Sequence, residues 1–245
     1  MSTETLHAGW NSLLFDAANG VALQYQLYIP ENFHTDTKYP AILYMHSAGV
    51  RCDDNSHIYT GEAKFLRNLE TGAYKNDCLV LAPCCPNTDS WVALSTWTQP
   101  VFDADVQPQS AHMAAAMELF WQFTKEFPVD LSRLYLYGMS MGGFAVWDIA
   151  SRYPHTFAAA ITAAGRGMPQ HAERLRDLAI WIFHGTADTV IPYTCGVELH
   201  DALTATGRTD VRFTTFEGAG HGIWERTADT EGLYDWMFSK RRENA

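Results

Sequence analysis

Apolar residues along this chain fall into short continuous runs separated by longer stretches in which they recur every three or four positions. Residues 12–17 and 21–29 are two β-rich runs flanking Asn19-Gly20, a dipeptide suited to a tight hairpin turn. The chain is therefore predicted to open antiparallel. Beyond it, residues 41–45, 78–82, 133–137, 157–162, 179–183 and 211–216 read as strands. Residues 111–127, 141–152, 196–206 and 230–239 carry the helical period. Strands that are apolar on both faces and alternate with helices predict a mostly parallel, doubly wound sheet, covered by helices on both sides and preceded by the N-terminal hairpin. No repeat or linker interrupts the pattern, so residues 1–245 are expected to form one domain. Residues 83–108 are the longest stretch without a period, and their Trp, Pro and Asp content suits a lid or pocket loop.

Composition removes several classes of function. The 245 residues are 47% hydrophobic and 18% charged, ordinary globular usage. The net charge of −11, from 17 Lys plus Arg against 28 Asp plus Glu, argues against a nucleic-acid partner, which would need a basic surface. No stretch approaches 18 uninterrupted apolar residues, and residues 1–6 show neither a basic segment nor an apolar one, so a cytoplasmic protein without a membrane partner is expected. Cys52, Cys78, Cys84, Cys85 and Cys195 are odd in number and lack CxxC spacing. Reduced thiols are the expectation, with neither a disulfide framework nor a metal site, and no cofactor motif is present.

Candidate chemistry begins at Gly138-Met139-Ser140-Met141-Gly142, between the strand at 133–137 and a helix. This G-x-S-x-G pattern arises by composition alone in about one chain in ten of this length, so its strand-to-helix context carries the argument. A turn sharp enough to lift Ser140 out of the sheet requires small residues at 138 and 142. It also leaves the Met141 N–H at the helix start, where no intrahelical acceptor exists and an oxyanion can bind.

Asp188 follows the strand at 179–183 in a turn closed by Pro192, and it suits a turn residue as well as a functional acid. His221 lies in the glycine-flanked segment Gly218-Ala-Gly-His221-Gly after the last strand, a loop that lets an imidazole reach over a serine. Jointly they are more informative: Ser, Asp and His each follow a strand, in the order of the α/β-hydrolase fold. Ser140 is thus the predicted nucleophile and His221 the general base that takes its proton. Asp188 is the acid that fixes the imidazole tautomer.

These residues resemble small α/β-hydrolase carboxylesterases related to feruloyl and acetyl-xylan esterases and to the prolyl-oligopeptidase-type hydrolase domain. The likeness runs from about residue 28 to 241. It rests on Tyr39-Pro-Ala-Ile-Leu-Tyr-Met-His46, Gly-Met-Ser140-Met-Gly-Gly-Phe-Ala-Val-Trp-Asp148, Ser-Arg-Tyr-Pro154, Phe-Ala-Ala-Ala160, Trp-Ile-Phe-His-Gly185 and Gly-Ala-Gly-His221. It implies a second oxyanion donor at the Ala48 N–H. This chain reads His46-Ser47-Ala48 where relatives usually have glycine after the histidine, so the Ser47 hydroxyl is a further candidate donor. His46 is read as a buttress of that loop. Trp147 and Asp148 are read as packing and a buried polar contact.

Trp91, Trp97 and Trp224 are candidates for the wall of a substrate pocket, with core packing as the alternative for each. Only residues 83–108 are long enough to contribute a cap, and a shallow site would suit small esters or acylated sugars. The expected function is hydrolysis of a small carboxylic ester through an acyl-enzyme, possible substrates being feruloyl or acetyl esters of plant sugars. A small-peptide hydrolase, a thioesterase and a dienelactone-type lactonase would use the same residues, although the last usually carries a cysteine nucleophile. A non-catalytic binding protein on the same fold is the remaining alternative.

Overall fold

All six apolar runs and both arms of the hairpin form strands of one sheet. The computed structural model describes residues 6–71, 78–93 and 103–243. β1 (Gly9–Asp16) pairs antiparallel with β2 (Ala22–Ile29), with Gly20 taking the positive φ of 84° that the turn demands. β3 (Tyr39–Met45), β4 (Leu79–Pro83), β5 (Val129–Met139), β6 (Ala159–Ala163), β7 (Ala179–Gly185) and β8 (Val211–Phe216) are parallel to one another. The spatial order is β1-β2-β4-β3-β5-β6-β7-β8. The chain leaves β3 for β4 on one side and returns to β5 on the other. Between β3 and β5 the winding reverses, the place where open α/β sheets bind ligands.

Helices cover both faces. α2 (Ala111–Glu126), α3 (Met141–Arg152) and α4 (Tyr193–Ala205) pack on one face, and α1 (Lys64–Glu70), α5 (Trp224–Ala228) and α6 (Leu233–Ser239) on the other. The second half of β5, residues 134–137, shows why such a run is apolar on both faces. Leu134 and Leu136 point into the first core, while Tyr135 and Tyr137 point into the second. There Tyr137 stacks on Tyr44 and on Phe65 of α1, with centroid distances of 5.5 and 3.8 Å. Each such buried ring contributes about 1.5–3 kcal/mol of transfer free energy.

Helix starts follow local chemistry. Ser110 caps α2 by accepting the Met113 N–H at 3.1 Å, and its own hydroxyl donates to Trp91 O. α4 begins at Tyr193, three residues before the predicted start, because Pro192 fits the entry to a first turn. α6 begins at Leu233 after Gly232, whose φ of 74° breaks the predicted continuous helix from 230. α1 and α5 are additions to the sequence reading. Among the described residues no helix is long and apolar enough to cross a membrane.

Candidate active site

Ser140 sits between β5 and α3 with φ 53° and ψ −119°, a strained conformation for a residue with a Cβ. Two glycines make that turn possible. A Cβ on Gly138 would lie 2.1 Å from Gly142 O, and one on Gly142 only 1.9 Å from Met45 O. The second contact matters most, because it lets the start of α3 press against the end of β3 and sets Met141 beside the loop that carries Ala48. Gly142→Ala is therefore expected to cost about 3 kcal/mol or more, since backbone atoms meet the new methyl group. A fall in Tm of roughly 10 °C, together with lost activity, is the outcome to look for in a thermal melt. A Tm within about 2 °C of the parent would contradict this close approach.

Asp188 and His221 stand on two laced loops. Ala187 N–H donates to Ala219 O at 2.9 Å and Gly218 N–H to Thr186 Oγ1 at 2.8 Å. A Cβ on Gly185 would strike Ala219 O at 2.3 Å, so glycine is needed for this approach as well. His221 Nδ1 lies 2.8 Å from Asp188 Oδ2, and its Nε2 lies 2.9 Å from Ser140 Oγ. A carboxylate only accepts, so the imidazole proton sits on Nδ1 and Nε2 presents a lone pair to the serine hydroxyl. Asp188 Oδ1 accepts the N–H groups of Val190 and Ile191, both at 2.9 Å. Burial alone would raise this carboxyl. The nearby His184 N–H, 3.5 Å from Oδ2, and the hydrogen bonds from His221 and the Ile191 backbone outweigh that effect and hold it well below the usual carboxylate range.

His184 is a residue the sequence reading quoted but gave no role. It is fully buried on β7, and its Nε2–H donates to Ile191 O at 2.9 Å, with Asp188 Oδ2 further off at 3.5 Å. It thereby props the turn that presents Asp188. A histidine four residues before an acid at a strand end was the available signal.

The loop after β3 turns directly into a short 3-10 turn, Ala48–Val50, whose first N–H has no acceptor within the turn. Ser47 caps it, its Oγ accepting the Gly49 N–H at 3.2 Å, while its hydroxyl donates to Glu62 Oε2. The Ser47 proton is thus committed to Glu62, which removes the hydroxyl as an oxyanion donor and corrects that expectation. Nothing in residue spacing linked positions 47 and 62. His46 is wholly buried: Cys85 N–H donates to its Nε2 at 2.8 Å, so its proton sits on Nδ1, which donates to Ser47 O at 2.7 Å. Desolvation keeps this ring neutral, with a pKa lowered to about 4. It buttresses the loop.

The candidate pocket residues separate. Trp91 is fully buried, and its indole N–H donates to His46 O at 3.2 Å. It therefore packs beneath the loop rather than forming a wall open to ligand, a correction to the sequence reading. Trp224 meets the His221 ring edge-on at 5.2 Å and 84°, which restricts the imidazole. Trp97 lies outside the described residues. Asp148 pairs with Arg152 at 2.8 Å, and Arg152 also donates to Ala104 O and Gln107 O, tying that segment to α3. The cysteines hold a further surprise, since Cys52, His57 and Cys84 come together although no spacing joined them.

A mostly parallel eight-stranded sheet with a serine on a strained strand-to-helix turn, hydrogen-bonded to a histidine and through it to an aspartate, defines an α/β-hydrolase. The chain belongs to the dienelactone hydrolase family, which it matches over residues 96–242. It is similar to a thermostable esterase of known structure, with 30% identity, a TM-score of 0.87 and 95% of this chain covered. It spans 63% of that esterase's length. A ferulic acid esterase shares the fold at 15% identity and a TM-score of 0.69, over 96% of this chain and 99% of its own. A bifunctional acetylxylan esterase/xylanase, XynS20E of Neocallimastix patriciarum, is 33% identical over 72 residues, 29% of this chain and 11% of that protein.

Proposed function

We propose that this protein is a serine carboxylesterase that hydrolyses small carboxylic esters through an acyl-enzyme intermediate. The observation that carries the reading is the hydrogen-bonded line from Asp188 Oδ2 through His221 to Ser140 Oγ, with steps of 2.8 and 2.9 Å. The Ser140 hydroxyl passes its proton to His221 Nε2 as Oγ attacks the ester carbonyl. The Met141 and Ala48 N–H groups receive the oxyanion, and the imidazolium then protonates the departing alcohol. Water repeats the cycle on the acyl-enzyme. Feruloyl or acetyl esters of plant sugars are the proposed substrates, a choice supported by the acetylxylan esterase relative. The family match supports a second reading, a lactonase acting on a dienelactone, with Ser140 in place of the usual cysteine.

A panel of p-nitrophenyl acyl esters, methyl ferulate, acetylated xylan, a dienelactone and aminoacyl amides separates these readings. The largest kcat/KM is expected on the acetyl or feruloyl esters. A dienelactone or an amide preferred over every ester would overturn the proposal. Ser47→Gly tests the oxyanion assignment, because a hydroxyl already engaged by Glu62 cannot also hold the transition state. We expect kcat on a short acyl ester to change by less than tenfold, whereas removing a true donor costs about 10² or more. A hundredfold drop at matched folded concentration would return Ser47 to the oxyanion site.

A further inference from the structure

The loop that carries Ala48 meets a second group of reactive side chains on its far side. Cys52 lies four residues beyond Ala48, and Cys84 directly follows β4. Their Sγ atoms stand 2.6 Å apart, although both are free thiols. The backbone holds them there: Cys52 N–H donates to Cys85 O at 3.3 Å, and Cys84 N–H donates to Gln24 O of β2 at 2.8 Å. Cys84 Sγ–H also donates to Cys52 O at 2.9 Å. His57 completes the group, with Nδ1 3.7 Å from Cys52 Sγ and Nε2 3.2 Å from Ala82 O. Because the carbonyl only accepts, the His57 proton sits on Nε2 and a lone pair on Nδ1 faces Cys52. Burial lowers the His57 pKa to about 3, so the ring stays neutral and its Nδ1 faces Cys52 as a hydrogen-bond acceptor that can pass a proton on but not hold it. The two thiols are unequal. Burial pushes the Cys84 thiol far up, while Cys52 keeps 9% of its surface exposed and so is the one an oxidant reaches.

We propose that Cys52 and Cys84 form a reversible disulfide, with the neutral His57 ring accepting the Cys52 S–H and relaying its proton, and that this bond clamps the Ala48 loop to the end of β4. A zinc ion would choose the same three side chains, but among the described residues they supply three of the four ligands that a closed structural zinc site takes. The oxidant is a peroxide. As Cys52 Sγ attacks one peroxide oxygen, its proton passes to His57 Nδ1. The O–O bond breaks to give a Cys52 sulfenic acid and hydroxide, which leaves as water with the proton from His57. Cys84 Sγ then attacks the Cys52 sulfur, the S–O bond breaks, and the second hydroxide departs as water with the Cys84 proton. Two thiols have given two electrons to one peroxide, and a dithiol reductant reverses the change.

The clamp bears on the candidate site through a short path. Cys85, next to Cys84, donates its N–H to His46, and His46 donates to Ser47 O beside Ala48. Only this last consequence rests on the proposed function. The bond itself is read without measuring activity. The full chain is treated with hydrogen peroxide, unfolded in urea in the presence of iodoacetamide, digested without reductant and analysed by mass spectrometry. A Cys52–Cys84 linked peptide is expected, with three of the five thiols alkylated. The oxidised protein should melt about 5–10 °C above the same sample in dithiothreitol. Cys52→Ser and Cys84→Ser should each remove that difference, and His57→Gln should slow bond formation by about tenfold or more. Five alkylated thiols after peroxide treatment, a bond to Cys85 instead, or stoichiometric zinc retained on unoxidised Cys52 and Cys84 would each overturn the proposal.

Discussion

Replacing Ser140 with alanine is expected to lower kcat for ester hydrolysis by about 10⁴ to 10⁶ while leaving the fold intact. The size follows from the chemistry, because the Ser140 hydroxyl is the group that His221 Nε2 faces, 2.9 Å away, and its removal leaves that base without a nucleophile to deprotonate. The residual rate would come from water oriented by the same base and from the Met141 and Ala48 N–H groups. Folding should be untouched. Alanine keeps the Cβ that the turn already accommodates at φ 53°, and the two bonds that fix the turn use backbone atoms, Ser140 N to Ala163 O and Phe144 N to Ser140 O. Circular dichroism and a melt of the purified variant separate loss of chemistry from loss of structure. Retention of more than about a tenth of the activity would contradict the assignment of the nucleophile.

The second large effect is expected at Asp188→Asn, with kcat reduced by about 10³ to 10⁴. The two carboxylate oxygens have different jobs, Oδ1 holding the Val190 and Ile191 N–H groups and Oδ2 holding His221 Nδ1–H. An asparagine that keeps its carbonyl on the two backbone donors turns its NH₂ toward the imidazole. Nδ1 must then accept, the proton moves to Nε2, and Nε2 can no longer take the proton of Ser140. The loss should therefore appear in kcat with little change in the melt. Less than a tenfold loss would show that the tautomer is fixed by something other than Asp188.

Much of this architecture could be read from residue patterns, because the central strands β3, β4, β6 and β7 are short, fully buried runs with clear ends. The second half of β5 is apolar on both faces since both faces are covered there, and Gly138 and Gly142 announce the turn because only glycine fits beside Gly142 O and Met45 O. Ser140, Asp188 and His221 were legible for the same reason, each standing just past a strand. The misses are short or long-range. α1 and α5 have seven and five residues and no side-chain N-cap, too little to show a period. The Ser47–Glu62 bond and the meeting of Cys52 with Cys84 join positions 15 and 32 residues apart, which a loop path decides and spacing does not record. Trp91 was misjudged because a large aromatic on a long loop suits a pocket as well as a core, and only its bond to His46 O distinguishes the two.

The central claim is that Ser140 is a nucleophile made reactive by His221 and Asp188. A fluorophosphonate tests it most directly, since its phosphorus is attacked only by a serine activated in this way, and intact-mass measurement followed by peptide mapping counts and places the adduct. The account predicts one adduct per chain, on Ser140, abolished in Ser140→Ala and slowed about 10³-fold or more in Asp188→Asn. A protein that stays unlabelled while folded, or one labelled at any other residue, would contradict it.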